Sequence, residues 1–326
     1  MLDYTNVLLS SKAYKMVKVD IDNNRCSHAY LFVSQDNNYL SKFAEIVTKL
    51  IICKNEDENL IQNSKLKIEK NVHPDVKIFG EEKAPDSATI GEVIEQSNIS
   101  PFEAEKKVFI LKNVQDMNES SQNKILKTLE EPTSSTVFLL CATATSRILP
   151  TILSRVKEIV LDELSAEQIA ELLIDNGIDK NNAIIYANCS NQNASFAEKL
   201  ATNESFIEFF NGIVSCFFEI NGSRDVIKFS SKFNEKNVDK EEFVNICMFV
   251  LRDINMILAK KEELVGFKNV LSKLKVVASM LNFSAVQELL KTCFEANESL
   301  HFNVNSTAVV DSILFKLAEV KVKCRR

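Results

Sequence analysis

Apolar residues fall along this chain in two rhythms, and the change from one to the other divides it. In the first half, short runs rich in Val, Ile, Leu and Phe stand at Ala29–Val33, Val76–Phe79, Val108–Leu111, Val137–Cys141 and Glu158–Leu161, with helix-length segments between them. Apolar runs without strict alternation suit strands buried on both faces, and their alternation with helices suits a parallel sheet covered by helices. Between Ser41 and Ile52, the residues Phe43, Ile46, Val47, Leu50 and Ile51 keep helical spacing. A further helix is expected to start at Asn118 as N-cap, carry Ile125, Leu126 and Leu129 on one face, and stop before Pro132.

Beyond Leu161 the strand signal ends. Ser165 with Gln168 reads as a capping box opening a helix that Gly177 closes; Asp179 caps a second helix, and a third runs through Phe196 to Leu200. From about Asn203 the helices lengthen, with stripes at Phe243, Cys247, Val250, Ile254 and Ile257, at Val270, Leu274, Val277 and Leu281, and at Val309, Ile313, Leu317 and Val320. Ser284 with Gln287 is expected to open one of them and Asn305 to cap the last. The division expected is an α/β core over residues 1–162, a three-helix module over 163–201 and an all-α region over 202–326.

Composition narrows the function classes. A length of 326 residues suffices for two or three domains with their own cores. The net charge of -6 argues against binding nucleic acid by bulk electrostatics. No apolar run approaches the ~20 residues that span a bilayer, and the N-terminus lacks the basic-then-apolar order of a signal peptide, so a cytoplasmic protein is expected. The eight cysteines include no C-x-x-C pair, which leaves them as reduced, mostly structural thiols. Only six glycines occur and the first is Gly80, so the turn after the first strand has none of the residues that let backbone amides close on a phosphate.

Four segments carry chemistry. "HAYLFVSQDNNYLSK", "KVFILKNVQDM", "NKILKTLEEP" and "LPTILSR" together resemble the nucleotide-binding core of the bacterial clamp-loader ATPases, a family with the AAA+ fold. The resemblance is specific from about His73 to Val160 and extends to "LRDI" (Leu251–Ile254) and "FNVN" (Phe302–Asn305) in the helical part. In that family a loop G-P-x-G-x-G-K-T holds the phosphates. Its glycines fall here on Ser34, Asn37 and Tyr39, its lysine on Leu40 and its threonine on Ser41, which is more simply a helix cap. Leu40 cannot neutralise a phosphate, and Tyr39 bars the close backbone approach that glycine permits. The magnesium-holding Asp and the catalytic Glu after the third strand correspond to Lys112 and Asn113, a cation that repels magnesium and an amide that is no general base. Asp116 is read as a solvated or helix-start charge. The Gly-x-x-Arg of the third lid helix corresponds to Ser190 and Asn193. Of the family's zinc ligands only Cys53 precedes His73-Pro74-Asp75, so no metal is expected.

What the resemblance retains is Ser154-Arg155, followed by Val156 in place of a cysteine. It implies that Arg155 serves the ATP site of an adjoining subunit in trans; the competing reading is a surface arginine satisfied by a carboxylate. Lys127, Glu130 and Glu131 are equally open to a reading as solvated charges. The resemblance thus implies an AAA+ core with a degenerate nucleotide site, a helical lid and a collar, in a non-catalytic subunit of the DNA polymerase III clamp loader that needs no cofactor. Its implied partners are gamma/tau-type and delta-type subunits, with the sliding clamp and primed DNA reached through the complex. A diverged gamma-type ATPase, or an adaptor of other role on the same scaffold, are the alternatives.

Overall fold

The computed structural model describes residues 2–54, 58–235, 238–301 and 306–324. The chain forms two compact units: residues 1–168 with 193–195, and residues 169–192 with 196–326.

The first unit is built on five parallel strands in the order β2-β3-β4-β1-β5. They are β1 (Ala29–Val33), β2 (Val76–Phe79), β3 (Lys107–Leu111), β4 (Thr136–Ala142) and β5 (Lys157–Val160). Every residue of β3 and β4 is buried, which is why those runs read as apolar without alternation. Alternate residues feed different layers. Ala29, Leu31, Phe109, Leu111, Phe138 and Leu140 enter one core with Ile90, Val93, Ile125 and Leu129, whereas Phe32 meets Phe43 edge-on at 4.8 Å. Edge strand β5 leaves Val160 exposed.

Buried polar groups fix the connections. The fully buried Asp75 carboxylate accepts the backbone N–H groups of Phe102, Glu103 and Ala104 at 2.6, 2.7 and 2.9 Å, which pins the loop entering β3. The helix Glu119–Glu130 starts where expected, with the Asn118 side chain accepting the Ser121 N–H. Two caps differ from expectation. The helix after β1 runs Asn37–Ile52 and is capped by Asp36, so Ser41 lies one turn inside it. An acidic side chain directly before the first free amides outcompetes a hydroxyl further along. Likewise the helix Phe283–His301 is opened by Asn282, whose side-chain oxygen accepts the Ala285 N–H, not by Ser284 with Gln287.

In the second unit, the helices Lys180–Cys189, Glu204–Glu219, Ser223–Phe233, Lys240–Leu258, Leu271–Ser279, Phe283–His301 and Ser306–Cys324 surround one apolar core. Phe196 and Leu200 share it with Phe206, Phe210 and Phe243. Ser165 and Gln168 exchange the two bonds of a capping box, and Gly177 ends the helix Ala166–Asp175 at φ +90°. Among the described residues no strand follows β5. The Asn305 cap and the Phe302–Asn305 segment fall outside the described residues.

The "LRDI" run is a latch inside this unit. Fully buried Asp253 accepts the N–H groups of Gly266 and Phe267 at 3.2 and 2.8 Å and pairs with Arg252 at 3.0 Å. Arg252 also donates to the Asn191 side chain at 2.6 Å. Only glycine fits at 266, because a Cβ there would lie 2.7 Å from the Arg252 guanidinium and 2.8 Å from the Asn188 carbonyl.

Candidate functional site

Ligands of open parallel sheets sit outside the carboxyl ends of the strands, and two of the family's phosphate and metal segments leave β1 and β3 there. After β1, the Ser34 N–H donates to the Ala142 carbonyl and the chain turns into the helix Asn37–Ile52. Leu40 is 1% exposed and Tyr39 2%, with the Tyr39 ring 5.4 Å from that of Tyr4. Leu40 is therefore an aliphatic side chain packed inward. Burial also pushes the Tyr39 hydroxyl up to about 12. Asn37 is exposed and Ser34 half-buried. The helix N-terminus is not vacant: the Asp36 carboxylate, itself buried, accepts the Asn38 and Tyr39 N–H groups at 3.0 and 3.1 Å.

After β3, Lys112 pairs with Glu81 at 3.1 Å. Asn113 takes the left-handed conformation (φ 55°, ψ 39°) and donates its amide to the Gly80 carbonyl at 2.9 Å. Gly80 is at φ +85°, where a Cβ would lie 2.4 Å from the Lys112 carbonyl oxygen. Lys112 and Asn113 thereby knit the ends of β2 and β3 together. Asp116 is an exposed charge in the first turn of the short helix Val114–Asp116, where it pairs with Arg147 at 3.0 Å and accepts from Gln115 at 2.6 Å.

Ser190 is fully buried and donates to the Ala187 carbonyl, while the Asn193 amide donates to the Gln35 carbonyl at 3.2 Å. Cys53 ends the helix Asn37–Ile52, and among the described residues no group of three or more His, Cys, Asp or Glu side chains is arranged to hold a metal.

Arg155 follows the short helix Pro150–Leu153. Its Nε donates to Glu130 at 2.8 Å, its Nη2 meets the same oxygen, and its Nη1 donates to the Thr151 carbonyl at 2.7 Å and to Ser154 Oγ at 3.0 Å. The guanidinium is thus half-exposed, fixed in orientation and paired with a carboxylate of the "LEEP" helix. Val156 packs on the core of the first unit. Lys127 and Glu131 are exposed. Sequence reading brought Glu130 forward only as a charge, and overlooked Asp36 and Ser195. Asp36 carried a local signal, an acidic residue just before a helix, whereas its bond to a serine 159 residues away carried none.

The family described as "DNA polymerase III, delta subunit" matches residues 9–165. The "DNA polymerase III subunit delta'" of Bacillus subtilis is 24% identical over 324 residues, covering 95% of this chain and 97% of that protein. The "DNA polymerase III subunit gamma/tau" of Mycoplasma genitalium is 27% identical over 177 residues, 53% of this chain and 30% of that protein. Among solved structures, a DNA polymerase III gamma subunit-related protein of Thermotoga maritima is similar, with a TM-score of 0.48 and 18% identity over 94% of this chain and 99% of that one. With residues 9–165 matched by that family and a delta-prime subunit matched over 95% of this chain, the chain is similar to the delta-prime subunits of DNA polymerase III.

Proposed function

We propose that this chain is a non-catalytic subunit of a DNA polymerase III clamp loader, which neither binds nor hydrolyses ATP and lends Arg155, with Ser154, to the ATP site of a neighbouring subunit. Its core (1–162), lid (163–201) and collar (202–326) would join gamma/tau-type and delta-type subunits in the cytoplasm, and through them act on the sliding clamp at primed DNA. The observation that carries the reading is the buried Leu40 at the lysine position of the phosphate loop, together with Lys112 and Asn113 at the positions of the acidic pair. A phosphate cluster with its magnesium needs a cation in the loop and a carboxylate pair after the third strand, and Leu40, Lys112 and Asn113 place neither there. A gamma-type ATPase would need them all.

A second reading keeps Arg155 as a surface charge, and the Glu130 pair favours it. The two part in a reconstituted loader carrying Arg155→Ala. Trans arginines are worth ~10³ or more in rate at their own site, so hydrolysis stimulated by clamp and DNA is expected to fall partially, diluted by sites other subunits complete, and clamp loading to fall further. Arg155→Lys should rescue poorly, because an ammonium lacks the planar fork. Wild-type hydrolysis and loading in a complex that assembles normally would leave Arg155 a surface charge. Micromolar binding of magnesium-ATP to the isolated chain, read by calorimetry, would return the protein to the ATPases.

A further inference from the structure

One buried carboxylate lies where two helices begin. Asp36 Oδ1 accepts the N–H groups of Asn38 and Tyr39, in the first turn of Asn37–Ile52, and also the Ser195 hydroxyl at 2.6 Å. Its Oδ2 accepts the Ser195 N–H at 2.9 Å, in the first turn of Ala194–Thr202. Only 3% of Asp36 is exposed. One residue earlier, the Gln35 carbonyl accepts the Asn193 amide, and the Ser195 hydroxyl lies 3.4 Å from that of Tyr4, whose ring meets Tyr39.

Helix N-termini present unpaired N–H groups and partial positive charge, and a phosphate is the usual ligand where such ends are offered to an anion. By the family resemblance, the loop before Asn37–Ile52 and the helix containing Ser195 are the segments that would meet a nucleotide's phosphates. A plain N-cap accounts for the bonds to Asn38 and Tyr39. It does not account for two further bonds to one serine on a distant segment, made by both oxygens of the same carboxylate.

We infer that Asp36 is a built-in substitute for a bound phosphate, clasping Asn193–Ser195 to the loop Ser34–Asp36 without nucleotide. The inference rests on the reading that this chain takes no ATP and gives it a physical counterpart. The anion's place is filled from within, so losing the nucleotide does not leave two helix ends facing an empty, electropositive cleft. It also makes the clasp indifferent to the nucleotide cycle.

Amide hydrogen exchange on the full-length chain, read residue by residue by NMR, tests this. In Asp36→Asn one oxygen remains to cap Asn38 and Tyr39, because asparagine caps as well as aspartate, but the atom facing the Ser195 N–H becomes a donor. Exchange at Ser195 should quicken about tenfold or more, the scale of a lost hydrogen bond to a charged acceptor, while Asn38 and Tyr39 stay protected. Ser195→Ala, which removes only the hydroxyl, should quicken exchange at residue 195 about threefold, and serves as the measure should Asp36→Asn fail to fold. A rate at residue 195 within twofold of wild type in a folded variant overturns the clasp. Adding millimolar magnesium-ATP to the wild-type chain should change nothing at Ser195. If the nucleotide protects it, the reading without ATP fails, whatever Asp36→Asn shows.

Discussion

At the scale of single residues, burial decides which groups are chemically available. Cys141, Cys189 and Cys293 are each pushed from the ordinary 9.0 up to about 12 by burial, and Cys247 well above it, whereas Cys26, Cys53 and Cys324 are half-exposed. Thiolates react and thiols do not. A thiol reagent at pH 8 should therefore label at most Cys26, Cys53 and Cys324 in the folded protein and all eight cysteines in denaturant; rapid labelling of Cys141 in the folded chain would contradict the buried strand β4. The same shifts set a pH dependence. With these thiols and Tyr39 raised in the fold, the unfolded chain loses protons from about pH 9 upward while the folded chain keeps them until about 12. Stability is then fully present below pH 9 and falls as pH rises from there, by up to about 1.4 kcal/mol per pH unit for each group. Urea midpoints at pH 8 and pH 10 measure it.

At the scale of elements, sequence reading succeeded where one rhythm dominates and failed where a polar residue works inside. Strands β1, β3 and β4 were legible because they are buried almost throughout and so read as apolar runs. Leu40 and Tyr39 were legible as chemically unlike the lysine and glycine of the resembled loop, and both are buried in the fold. The Asp36–Ser195 bond was not, since nothing local ties a loop to a residue 159 positions on. Lys321 is the same lesson in the helical unit. It follows Val320, the last residue of the last stripe; in the fold it is fully buried, and its ammonium donates to the Phe217 and Ile220 carbonyls at 2.5 and 2.8 Å. It thereby serves the free carbonyls and negative end of Glu204–Glu219. Lys321→Met keeps the length and removes the donors, so it should destabilise the protein by about 2–3 kcal/mol, where an exposed lysine would cost almost nothing. A change below about 0.5 kcal/mol in urea unfolding would show that Lys321 is not buried as described.

At the scale of the whole molecule, each compact unit has apolar core of its own, packed on the sheet in the first and among the helices in the second. A cooperative transition follows a shared core, so separate cores allow separate transitions. The chain contains no tryptophan, and of its five tyrosines Tyr4, Tyr14, Tyr30 and Tyr39 lie in the first unit and only Tyr186 in the second. Tyrosine fluorescence therefore reports mainly the sheet-bearing unit, whereas helical circular dichroism is weighted toward the second, all-helical one. The two signals should not coincide in urea. Lys321→Met should lower the midpoint seen by circular dichroism and leave the tyrosine midpoint in place. Asp75→Ala, which strips the acceptor from three backbone amides in the first unit, should do the reverse, by about 2 kcal/mol. Coincident curves that move together under either substitution would mean that the two units unfold as one.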